Sequence, residues 1–327
     1  MIVVTGAAGF LGSATVWALN ARGRTDIVCV DTGSTADGSA NLAPLRFERY
    51  IPHTQFRAEL AAGRWRNDLE SIVHLGACSS TTEANWDYLL DNNVEYTKTV
   101  CEAGLDAGAR VVIASSAATY GDGAQGYTDD HASLDALRPL NLYGRSKHEV
   151  DLWARETGRL DRIASIKYFN VYGPNEWHKG DMRSMVCKGY EQVRDTGRVR
   201  LFKSDRPEYP DGGQRRDFIY VKDAVAMTLW LLGHPEHNGI FNVGSGASTD
   251  WNRLMHAIFA AMHVPPQIEY FDMPADIAKA YQYDTCAEMT KLRSAGYAAP
   301  VMPVEVAVQD YVVNYLQPHL HLGSGIS

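Results

Sequence analysis

Two residues four apart in LYGRSK, Tyr143 and Lys147, are of types suited to moving a proton at a hydroxyl-bearing carbon. If the segment is helical, both side chains project from one face. A phenol normally titrates near ~10, and a neighbouring lysine ammonium favours the phenolate, which turns tyrosine into a usable base. Upstream, SSAATYG (115–121) follows an apolar run. The end of a strand there would present Ser116 as a hydrogen-bond donor to the same reacting oxygen. A further lysine, Lys179, closes the stretch YFNVYGPNEWHKG (168–180). By residue type alone Lys179 is a cation for a phosphate, the serines are a strand-end turn, and a tyrosine and lysine at this spacing are an ordinary helix face.

Near the start, TGAAGFLG places Gly6, Gly9 and Gly12 in G-x-x-G-x-x-G spacing between an apolar run, IVVT (2–5), and an apolar-periodic stretch from Phe10 to about Leu19. Glycines at such a turn let backbone amides approach a pyrophosphate at a helix N-terminus. A second apolar run, DIVCVD, ends at Asp31, about 20 residues on, where a carboxylate accepts hydrogen bonds from an adenosine ribose. Strand, glycines, helix and acid in this order predict a dinucleotide, whose nicotinamide cation would further favour a Tyr143 phenolate. Asp31 repels a 2′-phosphate and Thr32 supplies no compensating charge, so the sequence leans to NAD over NADP. Arg46 and Arg49 downstream read as solvated helix-face charges.

The elements that must carry these groups follow from apolar runs at SIVHLGA (71–77), RVVIASS (110–116) and IASIKYF (163–169), separated by helix-length segments. That pattern predicts an α/β fold, a Rossmann-like doubly wound parallel sheet, with a smaller α/β substrate-binding domain. Residues 1–170 form the dinucleotide domain, with a return of about 217–245 through DFIYV (217–221), DAVAMTLWLL (223–232) and GIFNVGS (239–245). Residues 171–216 and 246–327 form the smaller domain, with a helix near 182–196 and an insertion-like loop at 206–216. The tail HLHLGSGIS (319–327) has little to bury and is expected to be mobile.

Positive charge for a diphosphate is available in the second region from Lys203, Arg206, Arg215 and Arg216. Arg216 is the choice for a direct contact because guanidinium meets phosphate bidentately, while Lys203 and Arg206 read as a solvated face. The whole chain is acidic, 39 Asp and Glu against 31 Lys and Arg, so non-specific attraction to nucleic acid or anionic lipid is not expected. The five cysteines are scattered and odd in number, which suits a reducing compartment and predicts no metal site. The chain opens on a strand-like run and has no apolar span approaching the ~18 residues of a membrane helix, so a cytoplasmic protein is expected.

TGAAGFLG, SSAATYG, Tyr-x-x-x-Lys and YFNVYGP, in this order, resemble the extended short-chain dehydrogenase/reductase superfamily that modifies nucleotide sugars. Within it GACSSTTE (76–83), DNN (91–93), NVYGPNEWHKG (170–180), RRDFIYV (215–221) and RSAGY (293–297) resemble the ADP-L-glycero-D-manno-heptose 6-epimerase family, over nearly the whole chain. The resemblance implies that a tightly held NAD or NADP oxidises carbon 6 of an ADP-linked heptose and re-reduces the ketone from the other face. It also implies two bases, Tyr143 and Lys179, and a homo-oligomer, with a pentamer suggested. Cofactor contacts implied are Gly6, Gly9, Phe10, Leu11, Gly12, Asp31, Thr32, Leu75, Gly76, Ala77, Cys78, Ser79, Asn92, Tyr143, Lys147, Val171 and Lys179. Substrate contacts implied are Ser79, Ser80, Asn170, Asp181, Lys188, Phe202, Ser204, Arg216 and Tyr281.

Four positions depart from that family. Asp181 replaces a small hydroxyl residue and is expected to hold Lys179 charged, Lys188 replaces a histidine, and Gly38 and His53 replace lysines near the ribose, which favours NAD. Another nucleotide-sugar epimerase or a 4,6-dehydratase is the alternative, although SSAATYG lacks the acidic pair that a dehydratase needs. A dinucleotide sensor without chemistry would have little use for tyrosine, lysine and serine together.

Overall fold

The computed structural model describes residues 1–33, 39–274 and 281–325. Seven strands form one sheet: β1 (Ile2–Thr5), β2 (Ile27–Asp31), β3 (Arg49–Pro52), β4 (Ser71–His74), β5 (Arg110–Ser116), β6 (Ile163–Tyr168) and β10 (Gly239–Val243). Their order is β10-β6-β5-β4-β1-β2-β3, and every pair is parallel. The winding direction reverses between β1 and β4. At such a switch point the carboxyl ends of the two strands part and leave a crevice for a ligand.

Side-chain alternation along β1 explains why both faces need helices. Ile2 and Val4 pack with α1 (Phe10–Ala21) and α7 (Val221–Gly233), while Val3 faces Phe56 of α2 (His53–Ala61) and Val100 of α4 (Tyr96–Asp106). A short helix, α3 (Trp86–Leu89), and a π-helical turn, Leu90–Glu95, lead into α4. Farther along the sheet, Val111 and Ile113 pack on Val150 and Ala154 of α5 (Leu142–Glu156). Strands buried on both faces read as continuous apolar runs, which is why β1, β2, β4, β5 and β6 stand where the sequence puts them.

The second region has its own small sheets. A three-stranded sheet, ordered β11-β9-β7, joins β7 (Asn170–Tyr172), β9 (Arg215–Tyr220) and β11 (Ser248–Asp250). A parallel pair joins β8 (Val199–Phe202) and β12 (Ile268–Phe271), and α6 (Met185–Thr196) packs against α8 (Trp251–Ala261) in a shared core. Of the two strands expected to return to the first sheet, β10 does and β9 does not. It pairs instead with β7 and β11, so Arg215 and Arg216 belong to the second region's sheet.

Of the tail expected to be mobile, residues 319–325 pack against the rest of the chain, and Ile326 and Ser327 lie outside the described residues. Leu322 is fully buried, its N–H donates to Asn175 Oδ1 at 2.9 Å, and the His319 ring lies 4.5 Å from that of Trp177.

Candidate active site

The glycine turn is shaped by close approach. Gly6 adopts φ +65°, and a Cβ there would lie 2.8 Å from the Gly76 nitrogen across the switch point. A Cβ on Gly12 would lie 1.9 Å from the Gly6 carbonyl oxygen, so only glycine lets α1 start against the turn. Asp31 ties the turn to β2: its carboxylate accepts from the Ala8 N–H at 2.8 Å and the Thr32 N–H at 2.7 Å. A cavity of about 550 Å³ opens above, walled by Gly6, Gly9–Gly12, Asp31 and Thr32 on one side. Leu75, Gly76, Ala77, Cys78, Ser79 and Asn92 wall the other side, and Lys179 closes it. Two buried polar atoms in this wall, His53 Nδ1 and the Tyr96 hydroxyl oxygen, lack a hydrogen-bond partner among the described residues. An unpaired buried polar group is costly, so these atoms fit a ligand carrying hydroxyls of its own. Gly38 lies outside the described residues.

The loop after β4 is held by the π-helical turn, a feature enriched at functional sites. Asn93 accepts from the Cys78 N–H at 2.8 Å and donates to the Cys78 carbonyl at 3.0 Å and the Ser146 hydroxyl at 2.9 Å. Asn92 is anchored to the Tyr88 carbonyl at 3.0 Å.

Helix α5 starts with Asn141, whose side chain accepts from the Gly144 N–H at 2.7 Å, and carries Tyr143 and Lys147 on one face. Both line a second cavity of about 410 Å³, together with Ser116, Asn170, Val171 and Lys179. The two cavities share the Phe10, Leu11, Leu75 and Ala77–Ser79 wall as well as Lys179, so they meet. Lys147 Nζ donates to the Ala114 carbonyl at 2.9 Å, and burial pulls the ammonium down to about 8. Burial raises the Tyr143 phenol, while its hydrogen bond with Ser116 lowers it. Lys147 stands one helical turn from Tyr143 in the same cavity wall, and its ammonium is held by the Ala114 carbonyl.

Lys179 sits in a 3₁₀ segment, Trp177–Met182, its N–H bonded to the Glu176 carbonyl at 3.0 Å and its ammonium 5.1 Å above the Phe10 ring. Burial lowers this lysine and Glu176 opposes the shift. Glu176 is fully buried, accepting from the Ser184 N–H at 2.5 Å, the Ser184 hydroxyl at 2.6 Å and the Tyr311 hydroxyl at 3.0 Å. Glu176 is thus the carboxyl acting on Lys179, although burial raises Glu176 itself. Asp181 is exposed, and its main-chain carbonyl accepts from Lys188, so two of the four family departures meet each other outside both cavities.

The remaining substrate candidates divide. Ser79 lines both cavities, whereas Ser80 pairs with Thr82 at 3.1 Å and lines neither. Arg216 lies outside the second cavity but behind its Trp251: the guanidinium is 6.0 Å from the Trp251 ring and 4.9 Å from Tyr281. Trp251 in turn donates to the Tyr281 hydroxyl at 3.0 Å. Phe202 stands 6.2 Å from Tyr281, and Ser204 is engaged in its own turn, donating to the Arg206 carbonyl at 2.8 Å. Lys203 is paired with Asp272 at 3.0 Å, in keeping with a solvated face. Sequence reasoning missed Trp251, Tyr88, Tyr96 and Glu176. Glu176 lies inside the NVYGPNEWHKG motif, where an acid three residues before a lysine was the available signal.

A family model, described as NAD dependent epimerase/dehydratase family, matches residues 2–244. Proteins named ADP-L-glycero-D-manno-heptose-6-epimerase are similar throughout. One from Nitratidesulfovibrio vulgaris is 51% identical, covering 97% of this chain and 98% of its own. Another, from Fusobacterium nucleatum, is 40% identical, covering 97% and 98%. The chain belongs to this epimerase family. A nicotinamide cofactor and a nucleotide-sugar substrate come with that membership. Solved structures share the family fold. UDP-N-acetylglucosamine 4-epimerase from Methanobrevibacter ruminantium superposes with TM-score 0.80 at 22% identity over 97% of this chain and 98% of that one. The Helicobacter pylori heptose epimerase does so with 0.78 at 23% over 96% and 95%.

Proposed function

We infer that the chain inverts carbon 6 of an ADP-linked glycero-manno-heptose, with Tyr143 and Lys179 as its two acid/bases. The observation that carries this is the position of Lys179, which lines the glycine-turn cavity and the Tyr143 cavity together. Reversible hydride transfer is the chemistry a bound nicotinamide supplies. Gly6, Gly9, Gly12, Asp31, Asn92 and the Leu75–Ser79 loop would hold that cofactor. The chain's other task is to move the hydroxyl proton of carbon 6. Inversion presents the hydroxyl in two orientations, and a base on each flank serves both: Tyr143 Oη for one and Lys179 Nζ for the other. Ser116 lines the same cavity as Tyr143 and would donate to the reacting oxygen. Burial makes the Lys179 ammonium easier to deprotonate, as a lysine base requires.

The adenosine end supports NAD. Asp31, Thr32 and His53 wall the cavity there, the sequence from Gly33 to Gly38 contains no Lys or Arg, and neither Arg46 nor Arg49 lines the cavity. Arg49 stacks instead on Trp65 at 4.9 Å. Residues 171–216 and 246–327 form the unit that receives the ADP-sugar, with Arg216 toward the diphosphate. The enzyme is placed in the cytoplasm as a homo-oligomer, a state that light scattering measures directly. No described helix is long and apolar enough to cross a membrane.

The test incubates purified protein with ADP- and UDP-sugars and follows loss of stereochemical purity. Lys179→Met and Tyr143→Phe should each slow epimerisation at least about 100-fold while cofactor stays bound. Near-normal turnover by Lys179→Met would sink the two-base reading, and mostly NADP in extracted cofactor would sink the NAD reading.

A further inference from the structure

The Lys179 segment is held by residues from both ends of the chain. Asn41, only 5% exposed, is the joint. Its Nδ2 lies 3.0 Å from the Ala8 carbonyl in the glycine turn, 3.0 Å from the Asn175 carbonyl and 3.2 Å from His178 Nδ1. Two carbonyls fix which end of this amide is nitrogen, so Oδ1 is the acceptor, and it meets His321 Nδ1 at 2.8 Å. His321 therefore carries its proton on Nδ1 and donates. Asn175, with positive φ (78°), repeats the pattern: its Nδ2 donates to Ser13 in α1 at 2.9 Å and its Oδ1 accepts from the Leu322 N–H at 2.9 Å. His319 stacks on Trp177, and a Cβ on Gly323 would lie 2.8 Å from Leu45, so the turn also seats against the segment after Asn41.

We propose that Asn41 and the C-terminal turn His319–Gly323 are positioning groups that clasp the Trp177–Met182 segment, and with it Lys179, onto the glycine turn. The segment's own contacts are few and local: Trp177, Lys179 and Met182 are only partly buried, Lys179 bonds Glu176 and lies over Phe10, the Asp181 carbonyl accepts from Lys188, and Gly180 interrupts the segment with non-helical angles. The two amides, Asn41 and Asn175, each bond the cofactor-side turn or α1 with one end and the C-terminal turn with the other. This inference rests on Lys179 acting as a base, but the clasp itself is read by amide exchange.

Asn41→Leu and His321→Ala remove the joint, and His321→Gln retains an amide able to donate to Asn41. Hydrogen exchange at Lys179 and Arg183, whose N–H groups bond the Glu176 and Gly180 carbonyls, is compared with that of β5. Expected in the first two variants is at least a tenfold rise in exchange confined to 176–183, a fall of about tenfold in kcat with KM within twofold, and recovery of both in His321→Gln. Exchange at wild-type rates in His321→Ala overturns the clasp and leaves the two-base reading standing. Normal turnover by Lys179→Met removes the two-base reading and leaves the exchange result to decide the clasp. Should Asn41→Leu lose protection in β5 as well, His321→Ala decides: a selective rise supports the clasp, and no rise overturns it.

Discussion

Lys147 illustrates how a single buried residue trades stability for chemistry. Its position between the sheet and α5 leaves it 4% exposed, with the Ala114 carbonyl as its hydrogen-bond acceptor, and the ammonium falls from 10.5 to about 8. The sign follows from proton counting. Below about pH 8 the folded chain must keep this buried ammonium charged, and the penalty is fully present. As pH rises from 8 toward 10.5 the folded lysine is neutral while the unfolded one still binds a proton, so the penalty fades. A depression of this size corresponds to about 3 kcal/mol. Lys147→Met should therefore melt above wild type between pH 6 and 8, with the gap closing by about pH 10, while losing activity; a gap that widens with pH would contradict the assignment. Asp31 makes a different prediction. Because its carboxylate both anchors the Ala8 and Thr32 amides and lines the cavity, Asp31→Ala should weaken NADH binding about tenfold or more and, on the NAD reading, weaken NADPH binding less, read by nicotinamide fluorescence.

At the scale of elements, what was legible depended on whether a group meets its partners locally. Gly6, Gly9, Gly12 and Asp31 sit in one β-α-β unit and Tyr143 and Lys147 on one helix, so their relative placement could be read from local spacing, while the role of the tyrosine and lysine needed the family resemblance as well. The parallel strands were legible because burial on both faces demands unbroken apolar runs. Strand β9 was legible as a strand but its sheet was not, since RRDFIYV carries no signal for its partner β7. Strands β8 and β12 escaped notice because they form a two-stranded ribbon in which Arg200 and Glu269 face solvent. Asn41 and His321 lie 280 residues apart, a distance over which no local pattern operates. The tightest local contact is also the most testable. A methyl at Gly12 has no direction in which to yield, since the atom opposite is backbone, so Gly12→Ala should cost about 3 kcal/mol or more and strip the cofactor. Thermal melting and cofactor content of the purified variant check both.

The whole molecule sets an acidic chain, with net charge -8, against a ligand that carries a diphosphate. Such a ligand is repelled at long range, and binding must be won at short range by cations placed inside the cleft. Lys203 is exposed and occupied by Asp272, and Arg206 stacks on Tyr283 at 4.2 Å. Arg216 differs from both. Its guanidinium lies 4.9 Å from the Tyr281 ring and 6.0 Å from that of Trp251, which lines the second cavity, burial lowers it, and among the described residues no carboxylate pairs with it. A partly buried guanidinium without an anion is costly for the free protein and is satisfied by a phosphate, so its contribution should appear in substrate capture. Arg216→Met is expected to raise KM for the ADP-sugar about 30-fold or more with kcat within threefold, whereas Lys203→Ala and Arg206→Ala change KM less than about threefold. Arg216→Lys should recover only part of the loss, since an ammonium keeps the charge but not the paired donors of a guanidinium. A variant series in which kcat falls while KM stays fixed would instead place Arg216 at the reacting carbon, and would require the sugar to lie across the cleft in the opposite direction.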